Sequence, residues 1–397
     1  TADSFLEEYN SGPLKGKLRV AKVPKDEIDG TSVTSLVNNS KGDQSVKEIL
    51  ANKTRHNNII EIFDAFTMDV LVTDPVTKMP CDRAEKTVII EEYNECAIDL
   101  EKFVEKYGPC TDTKKFSKIF IQLMDAMEFL HSPNPEIGKK TVLHRDIKPS
   151  NILIQETTHG IKLADFQNAC ELENIIESAL PTRGGTAFTE LNMLDAFLKG
   201  SQTKASLRSE IYALGATMYD VLTGRNLFDF ELKCEENTGR EVEINGKKVS
   251  YIFKKDGKPV DSLDLIALDK EAKQKMKNVP RGYRTFLYNM VSPLSTIYSK
   301  VETEEDIKKT YARMKKDLAK CGETYWDITK KVIPYVLAAT AAAALFGVAV
   351  KYKNAELEKK RGQEYLELSE RKDKVINALK ESTSEFDPKG FQKELNR

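Results

Sequence analysis

Residues 144–151 bring together, in one short stretch, the side chains that phosphate transfer requires. They read His-Arg-Asp-Ile-Lys-Pro-Ser-Asn, and Asp165 follows in Ala-Asp-Phe, fourteen residues after Asn151. Phosphoryl transfer needs a carboxylate that orients the attacking hydroxyl, a cation near the transferred phosphate, and oxygen ligands that hold Mg²⁺ against the phosphates. Asp146 can supply the first, Lys148 the second, and Asn151 with Asp165 the third.

This pattern resembles the catalytic loop and the metal-binding motif of the eukaryotic-type protein kinase family. Eight contiguous residues, followed at family spacing by an Asp-Phe pair, are too specific for a chance match in a solvated loop. Residues 58–66, 209–228 and 281–318 are similar to the fourth strand, the central helix and the last helices of that family, so the resemblance covers roughly residues 1–320. It implies an α+β, two-lobed protein kinase fold, with a small β-rich N-lobe at 1–94 and a large helical C-lobe at 95–322.

The resemblance also implies that ATP binds between the two lobes. Lys22, in Val-Ala-Lys, is similar to the strand lysine that holds the α- and β-phosphates, and Glu48 is its implied helix partner. A shift of one residue in the assignment of Glu48 is left open. Glu91, Glu92 and Tyr93 are expected to line the adenine edge through backbone groups, so that side-chain identity matters little at these three positions.

Two positions are similar to the serine/threonine form of the family. Lys148 follows Asp146 by two residues, and Thr186 follows Gly185. In the family such a threonine bonds the catalytic Asp and Lys, so Thr186 is expected to contact both. The resemblance therefore predicts transfer of the γ-phosphate of ATP to a protein Ser or Thr hydroxyl, with Mg²⁺ as cofactor.

Four departures from the family pattern favour an alternative, a membrane-anchored pseudokinase scaffold that binds protein partners. Residues 3–6 lack glycine where a glycine-rich phosphate loop is expected, and glycine lets backbone amides approach phosphates. Gln167 replaces the glycine after Asp-Phe, Glu190 has no evident arginine partner (Thr296 stands near its expected place), and Glu210 replaces an aspartate. The complete catalytic set favours an active enzyme. A small-molecule kinase that shares the fold is a third interpretation.

Two further segments could regulate or direct such an enzyme. Arg145 can pair with a phosphate on the segment after Asp165, so Ser178 and Thr182 are hypothetical phosphorylation sites. Residues 240–253 alternate around Asn-Gly and predict a hairpin. That hairpin is interpreted either as a docking element for a substrate or partner or as a surface decoration.

Hydrophobic periodicity predicts the elements that position these residues. Strands are predicted at 17–23, 58–66 and 87–93, and helices at 45–51 and 116–131. The polar segment 73–86 contains two prolines and is predicted to be an extended hairpin loop.

Composition bears on the binding partners of the protein and on its redox compartment. The 397 residues include 61 basic and 62 acidic side chains, and this near-balance gives no argument for nucleic-acid binding. The six cysteines form no CxxC pair, so free thiols in a reducing compartment are expected. The chain begins with Thr1 and shows no signal peptide, and we expect it to be a fragment or a processed form.

Residues 332–350 carry no charge and predict a single transmembrane helix, because 19 residues at 1.5 Å each span about 28 Å. An Ala-rich buried helix is the alternative. A kinase needs ATP, so residues 1–330 are expected to face the cytosol of a single-pass membrane protein. Residues 351–397 are expected to form a charged, helical tail that either self-associates or binds a partner, or is merely solvated.

Overall fold

The computed structural model divides the chain into two units, Thr1–Thr324 and Tyr325–Arg397, and every element named below lies in the first. The structure describes residues 2–8, 18–24, 55–73, 80–134, 140–172, 176–178, 186–204, 206–234, 241–244, 247–298 and 303–321, together with residues 372 and 374. Glu48, the predicted helix at 45–51 and the apolar segment 332–350 lie outside these residues, as does the rest of the tail. Within the described part of the chain, no helix combines the length and the apolar character needed to cross a bilayer.

An antiparallel sheet in the order β1-β2-β4-β3 forms the N-terminal part. Its strands are β1 (Ala2–Glu8), β2 (Leu18–Pro24), β3 (Ile62–Thr73) and β4 (Pro80–Glu92). Ala21, Val88 and Ile90 form a buried cluster on one face. Since successive side chains in a strand point to opposite faces, Lys22 and Glu91 lie on the other face.

Two sequence predictions about this sheet are wrong. Residues 3–6 do not form a phosphate loop, because β1 pairs with β2 along its whole length, from Ala2 opposite Pro24 to Glu8 opposite Leu18. The absence of glycine at 3–6 is therefore no sign of a degraded loop. Within the segment 73–86, Thr73 and residues 80–86 are strand, since the ladder of β3 and β4 continues to Thr73 opposite Pro80, while residues 74–79 lie outside the described residues. The polar composition of residues 80–86 did not indicate a strand, which forms through backbone pairing with β3.

The C-terminal part of the first unit is mainly helical. Its helices are α1 (Leu100–Tyr107), α2 (Thr113–His131), α3 (Leu191–Leu198), α4 (Leu207–Thr223), α5 (Leu265–Lys275), α6 (Arg284–Val291) and α7 (Glu304–Cys321). The predicted apolar stripe of α2 is fully buried. Helix α4 is buried almost all round, and Gly215 lets it approach α6, because a Cβ there would lie 2.7 Å from Met290.

Short strands connect these helices and place the predicted site. They are β5 (Ala97–Asp99), β6 (Val142–Leu143), β7 (Ile152–Gln155), β8 (Ile161–Leu163), β9 (Cys170–Glu171), β10 (Ile176–Ser178) and β11 (Gln202–Lys204). The amide of Ile60 donates to the carbonyl of Leu163 (2.9 Å), and that of Leu163 donates to Asn58 (2.8 Å). Residues 58–60 thus run beside β8. These hydrogen bonds connect the segment before β3 with the strand that precedes Asp165.

The predicted hairpin near 240–253 is confirmed, and it belongs to a small sheet between α4 and α5. This sheet contains β12 (Phe230–Cys234), β13 (Glu241–Ile244), β14 (Lys247–Lys255) and β15 (Lys258–Pro259). Ile244 pairs with Lys247 across the two turn residues, which the structure does not describe. Phe230, Tyr251 and Phe253 are buried in the main core, so this sheet is packed against the helical lobe.

Asp220, near the end of α4, gives a prediction for pH-dependent stability. Burial, with a smaller contribution from Glu101, raises the pKa of Asp220 from 3.8 to about 6. The folded state therefore favours the protonated carboxyl, and its ionisation costs stability as the pH rises through 6. Asp220→Asn should raise the free energy of unfolding at pH 7.5 by about 1 kcal/mol, after allowance for solvent screening.

Urea denaturation at pH 7.5 and pH 4.5 measures this effect. The gain should shrink at pH 4.5, where the wild-type carboxyl is already protonated in the fold. Glu101→Gln should give a smaller gain in the same direction, because it removes only the second cause. An equal gain for Asp220→Asn at both pH values would contradict the assignment.

Candidate active site

The loop between β6 and β7 carries Asp146, and it is held by a buried carboxylate from α4. Glu210 accepts hydrogen bonds from the backbone amides of His144 (3.0 Å) and Arg145 (2.8 Å). Arg145 has a φ of 66°, a left-handed conformation that non-glycine residues seldom adopt. The two bonds from Glu210 stabilise the backbone at this turn, immediately before Asp146.

A second contact joins this loop to the segment that carries Asp165. The ring nitrogen Nε2 of His144 lies 3.0 Å from the carbonyl oxygen of Ala164, and the His144 ring packs edge-on against Phe166 at 4.7 Å. The amide of Ala164 also donates to the carbonyl of Asn151 (2.9 Å). These contacts fix the backbone on either side of the predicted metal ligands.

The carboxyl of Asp146 is buried, with 4% of its surface exposed. Lys148 Nζ donates to Oδ2 at 3.0 Å and lies 2.9 Å from Oδ1, without hydrogen-bonding geometry to the latter. Asn168 Nδ2 donates to Oδ2 from 3.4 Å, a contact that the sequence did not predict. Burial raises the pKa of Asp146 above its usual value, and the attraction of Lys148 opposes that rise.

Asn151 and Asp165 meet the requirements of a Mg²⁺ site. The amide nitrogen of Asn151 donates to the carbonyl of Asp146 (2.8 Å), so its amide oxygen is not used in that bond. Asp165 Oδ1 and Asp146 Oδ1 are buried acceptors without a hydrogen-bond partner. Buried acceptors of this kind are costly unless a cation or a donor joins them. One carboxylate and one amide oxygen suit Mg²⁺, which takes its other ligands from phosphates and water.

The backbone around Asp165 accounts for Gln167 at the glycine position. Asp165 itself takes the left-handed conformation, with φ 66° and ψ 69°, and residues Phe166–Asn168 form a short 3-10 helix. The backbone of Gln167 thus has no positive φ, and a side chain is tolerated there. Phe166 is buried, so the segment packs inward with a glutamine in place of glycine.

Lys22, on β2, forms an ion pair with one acid and is attracted by a second. Its Nζ is 2.8 Å from Oε1 of Glu91, whose residue surface is only 4% exposed. Burial lowers the pKa of Lys22, but attraction to Glu91 and Asp165 outweighs it, and the pKa lies above its usual value. The expectation that side-chain identity matters little at Glu91 is therefore wrong. The signal in the sequence was a glutamate at the end of an apolar strand.

The side chain of Glu92 is bound to other parts of the protein. The Glu92 carboxylate accepts from the amide of Glu61 (3.2 Å) and pairs with Lys162 (2.8 Å). Tyr93 is exposed. Their predicted roles at the adenine edge rest on backbone groups and stay predictions. Glu48, the predicted helix partner of Lys22, lies outside the described residues.

The predicted contacts of Thr186 are wrong. Its hydroxyl donates to the carbonyl oxygen of Phe230 at 2.6 Å, on the small sheet that follows α4. A hydroxyl has a single proton to donate, and here the nearby β12 backbone takes it. Lys148 bonds Asp146 directly instead. Thr182 lies outside the described residues, and for Ser178 only the backbone is described, so the phosphorylation hypothesis stays a prediction.

Glu190 does have an arginine partner, which was not evident from the sequence. Arg208, at the start of α4, places its Nε 3.9 Å from Oε1 of Glu190, and both side chains are largely buried. The guanidinium also donates to the carbonyls of Met290 (2.7 Å) and Ser292 (2.8 Å) at the end of α6. The family pattern predicts this partner near Thr296, late in the lobe, whereas the fold supplies it from the central helix α4.

Replacing Arg208 is expected to be strongly destabilising. Burial raises the pKa of Glu190, and Arg208 opposes that rise. Arg208→Met should leave the Glu190 carboxylate without its cation, although Asn192 still donates to it (3.3 Å), and should leave the two carbonyls without their donor. We expect a cost of about 3 kcal/mol in unfolding free energy. Thermal or urea denaturation measures the loss. The double variant with Glu190→Gln should recover part of it, and a double variant no more stable than the single would contradict the pairing.

The sequence of this chain is similar to those of known proteins. A family model described as protein kinase domain matches residues 31–309. Serine/threonine-protein kinase STK11 of Rattus norvegicus is 30% identical over 204 residues, which are 49% of this chain and 40% of that protein. A putative serine/threonine-protein kinase of Acanthamoeba polyphaga mimivirus, R436, is 31% identical over 194 residues, 47% of this chain and 63% of that protein.

One solved structure aligns with this chain at a low TM-score. The kinase PK-1 of the Cydia pomonella granulovirus aligns at a TM-score of 0.42 with 17% identity, over 77% of this chain and 89% of that chain. The present chain spans about two fifths of the length of the first curated relatives that it matches.

Proposed function

We propose that this chain, which belongs to the protein kinase domain family, is an active serine/threonine kinase that transfers the γ-phosphate of ATP to a protein hydroxyl. The observation that carries the proposal is the grouping of a lysine-paired buried carboxylate, Asp146, with the unsatisfied acceptor of Asp165. Phosphoryl transfer depends on such positioned charges more than on covalent chemistry by the protein.

Each residue has a role in the proposed reaction. Lys22 holds the α- and β-phosphates, while Asn151 and Asp165 hold Mg²⁺. When bound, Mg²⁺ neutralises charge on the phosphates. Asp146 accepts a hydrogen bond from the substrate hydroxyl and orients its oxygen towards the γ-phosphorus. Lys148, paired with Asp146, stabilises negative charge on the phosphate that is transferred.

Support for serine and threonine as acceptors comes from the relatives. STK11 of Rattus norvegicus and R436 of the mimivirus are named serine/threonine-protein kinases, the second as putative, at 30% and 31% identity. Lys148 follows Asp146 by two residues, as in the serine/threonine form of the family. The pseudokinase alternative loses its main argument, since residues 3–6 are strand. The activity test below distinguishes this alternative from an active kinase.

The proposal is tested by transfer of labelled phosphate from Mg·ATP to the protein itself and to a generic basic protein. We expect labelled phosphoserine or phosphothreonine, dependent on Mg²⁺. Binding of Mg·ATP, seen as a rise in Tm, without transfer would instead support a nucleotide-binding scaffold. If Mg·ATP neither binds nor donates phosphate, the kinase proposal is contradicted and the alternative is a scaffold that binds partners without nucleotide.

We also propose that residues 332–350 anchor the kinase in a membrane as a single-pass helix, with the kinase domain facing the cytosol. The support is the uncharged run itself, with lysines at both ends. Extraction of cell membranes with alkaline carbonate should leave the full chain in the pellet and release a variant that lacks 332–350. Release of the full chain would contradict the anchor. Self-association of the tail is the accompanying proposal, and cross-linking of the full chain tests it.

A further inference from the structure

Glu91 is a buried charged group at the end of an apolar strand segment. It ends the apolar run Val-Ile-Ile in β4, and its neighbours Val88, Ile89 and Ile90 are all buried. A buried carboxylate costs free energy unless a cation pairs with it. Its partner is Lys22, at 2.8 Å, the residue to which phosphate binding is assigned.

The register of the sheet builds this pair. Val20 lies opposite Glu91 and Lys22 lies opposite Ile89 on the adjacent strands β2 and β4. Glu91 and Lys22 are therefore diagonal neighbours on one face, within reach of long side chains. Both ends of the ion pair belong to one hydrogen-bonded ladder, so no other element has to move into place to form it.

Lys22 also interacts electrostatically with a residue of the site. Attraction from Asp165, after that from Glu91, raises the pKa of Lys22. The ammonium is thus attracted by two carboxylates, that of Glu91 in the same sheet at 2.8 Å and that of Asp165, the predicted metal ligand. Burial raises the pKa of Glu91, and Lys22 is the largest influence that opposes this rise.

We propose that Glu91 is a positioning residue that holds Lys22 from within the sheet, so that the lysine is oriented for the phosphates before nucleotide arrives. This inference rests on the proposed function and deepens it. It assigns to a strand carboxylate a task that sequence resemblance gives to Glu48 alone. The lysine then depends less on the segment that contains Glu48.

Steady-state kinetics of the full chain with ATP as the varied substrate test the proposal. Glu91→Gln keeps the shape but removes the charge, and it should lower kcat/KM at least 10-fold, mainly through a higher KM for ATP. Glu48→Gln should lower it less. Glu95→Gln, which removes an exposed carboxylate from the same connection, should leave kcat/KM within two-fold. Glu91→Asp should restore part of the loss, since it restores the charge.

A second measurement needs no activity. An amine-labelling reagent such as trinitrobenzenesulfonate attacks neutral amines, and Lys22 labelling can be followed by peptide mass spectrometry at pH 8. Without Glu91 the pKa of Lys22 should fall, so Glu91→Gln should label several-fold faster than wild type. Lys102, an exposed lysine, serves as the internal reference because its rate should not change.

The two measurements separate failure of the inference from failure of the proposed function. Faster labelling of Lys22 together with a raised KM supports the inference. Faster labelling in a chain that transfers no phosphate supports the ion pair and overturns the kinase activity. Unchanged labelling overturns the inference. So does an active wild type that Glu91→Gln leaves unimpaired and Glu48→Gln inactivates.

Discussion

Asp146→Asn is expected to slow phosphate transfer by about 10³-fold while Mg·ATP still binds. Asparagine preserves the size of the side chain and leaves one oxygen for Lys148, which donates to Oδ2 in the wild type. It removes the negative charge that attracts and orients the hydroxyl proton of the substrate. The ligands assigned to nucleotide and metal, namely Lys22, Asn151 and Asp165, are untouched.

The activity of the wild type should depend on pH through the ionisation of Asp146. Burial raises the pKa of Asp146, and Lys148 partly offsets the rise. Since the ionised carboxylate is the working form, kcat/KM should fall as the pH drops through that raised pKa. In Asp146→Asn the part of the acid limb that is due to this group should disappear.

The measurement is transfer of labelled phosphate by both proteins, beside the Tm rise that Mg·ATP produces in each. Equal Tm shifts with transfer in the wild type alone would identify Asp146 as part of the chemical step. Unimpaired transfer by the variant would exclude Asp146 from that step. Loss of the Tm shift would mean that the substitution disturbs nucleotide binding and that its effect on transfer is not specific.

Parts of this site that lie close together in the sequence were predictable from it. Residues 144–151 form one continuous motif whose side chains meet because a single loop carries them. The fold class followed from the same motif, together with strands and helices whose periodicity is strong, such as Thr113–His131. The family match over residues 31–309 supports that fold class.

Contacts that depend on the meeting of distant elements were not predictable in this way. Arg208 and Glu190 are eighteen positions apart in the chain, and their pairing depends on how α4 packs beside the segment before α3. Glu91 was expected to act through its backbone alone, and only the register of β2 and β4 places its side chain diagonally opposite Lys22. The strand at Ala2–Glu8 was mistaken for a loop because pairing with β2, not composition, makes it a strand.

Glu210→Ala is expected to cause the largest loss of stability among the substitutions considered. Glu210 is buried and accepts hydrogen bonds from the amides of His144 and Arg145. It also lies 3.4 Å from Nε2 of His131, whose Nδ1 is 2.8 Å from the hydroxyl of Tyr311 on α7. Alanine leaves the amides without an acceptor at a turn with positive φ, and we expect a cost of about 3–5 kcal/mol.

Matched variants separate charge from geometry at this position. Glu210→Gln keeps one acceptor oxygen and should lose less stability than Glu210→Ala. Glu210→Asp keeps the charge but is one methylene shorter, so it should retain most of the stability if α4 can approach the loop. Urea denaturation of the three variants gives the order, and equal losses for all three would contradict a hydrogen-bonding role.

The pH dependence of this stability has the opposite sign to that of Asp220. Burial raises the pKa of Glu210, but the hydrogen bond and charge interaction with His131, and the contacts with His144, outweigh it, so the pKa lies below 4.5. Its ionised form therefore stabilises the fold above pH 4.5, and that contribution is lost as the pH falls through the lowered pKa. The difference in unfolding free energy between wild type and Glu210→Gln should be largest near neutral pH and shrink in acid. A difference that stays constant down to pH 3 would mean that the carboxylate charge contributes nothing, and that shape alone anchors the loop that carries Asp146.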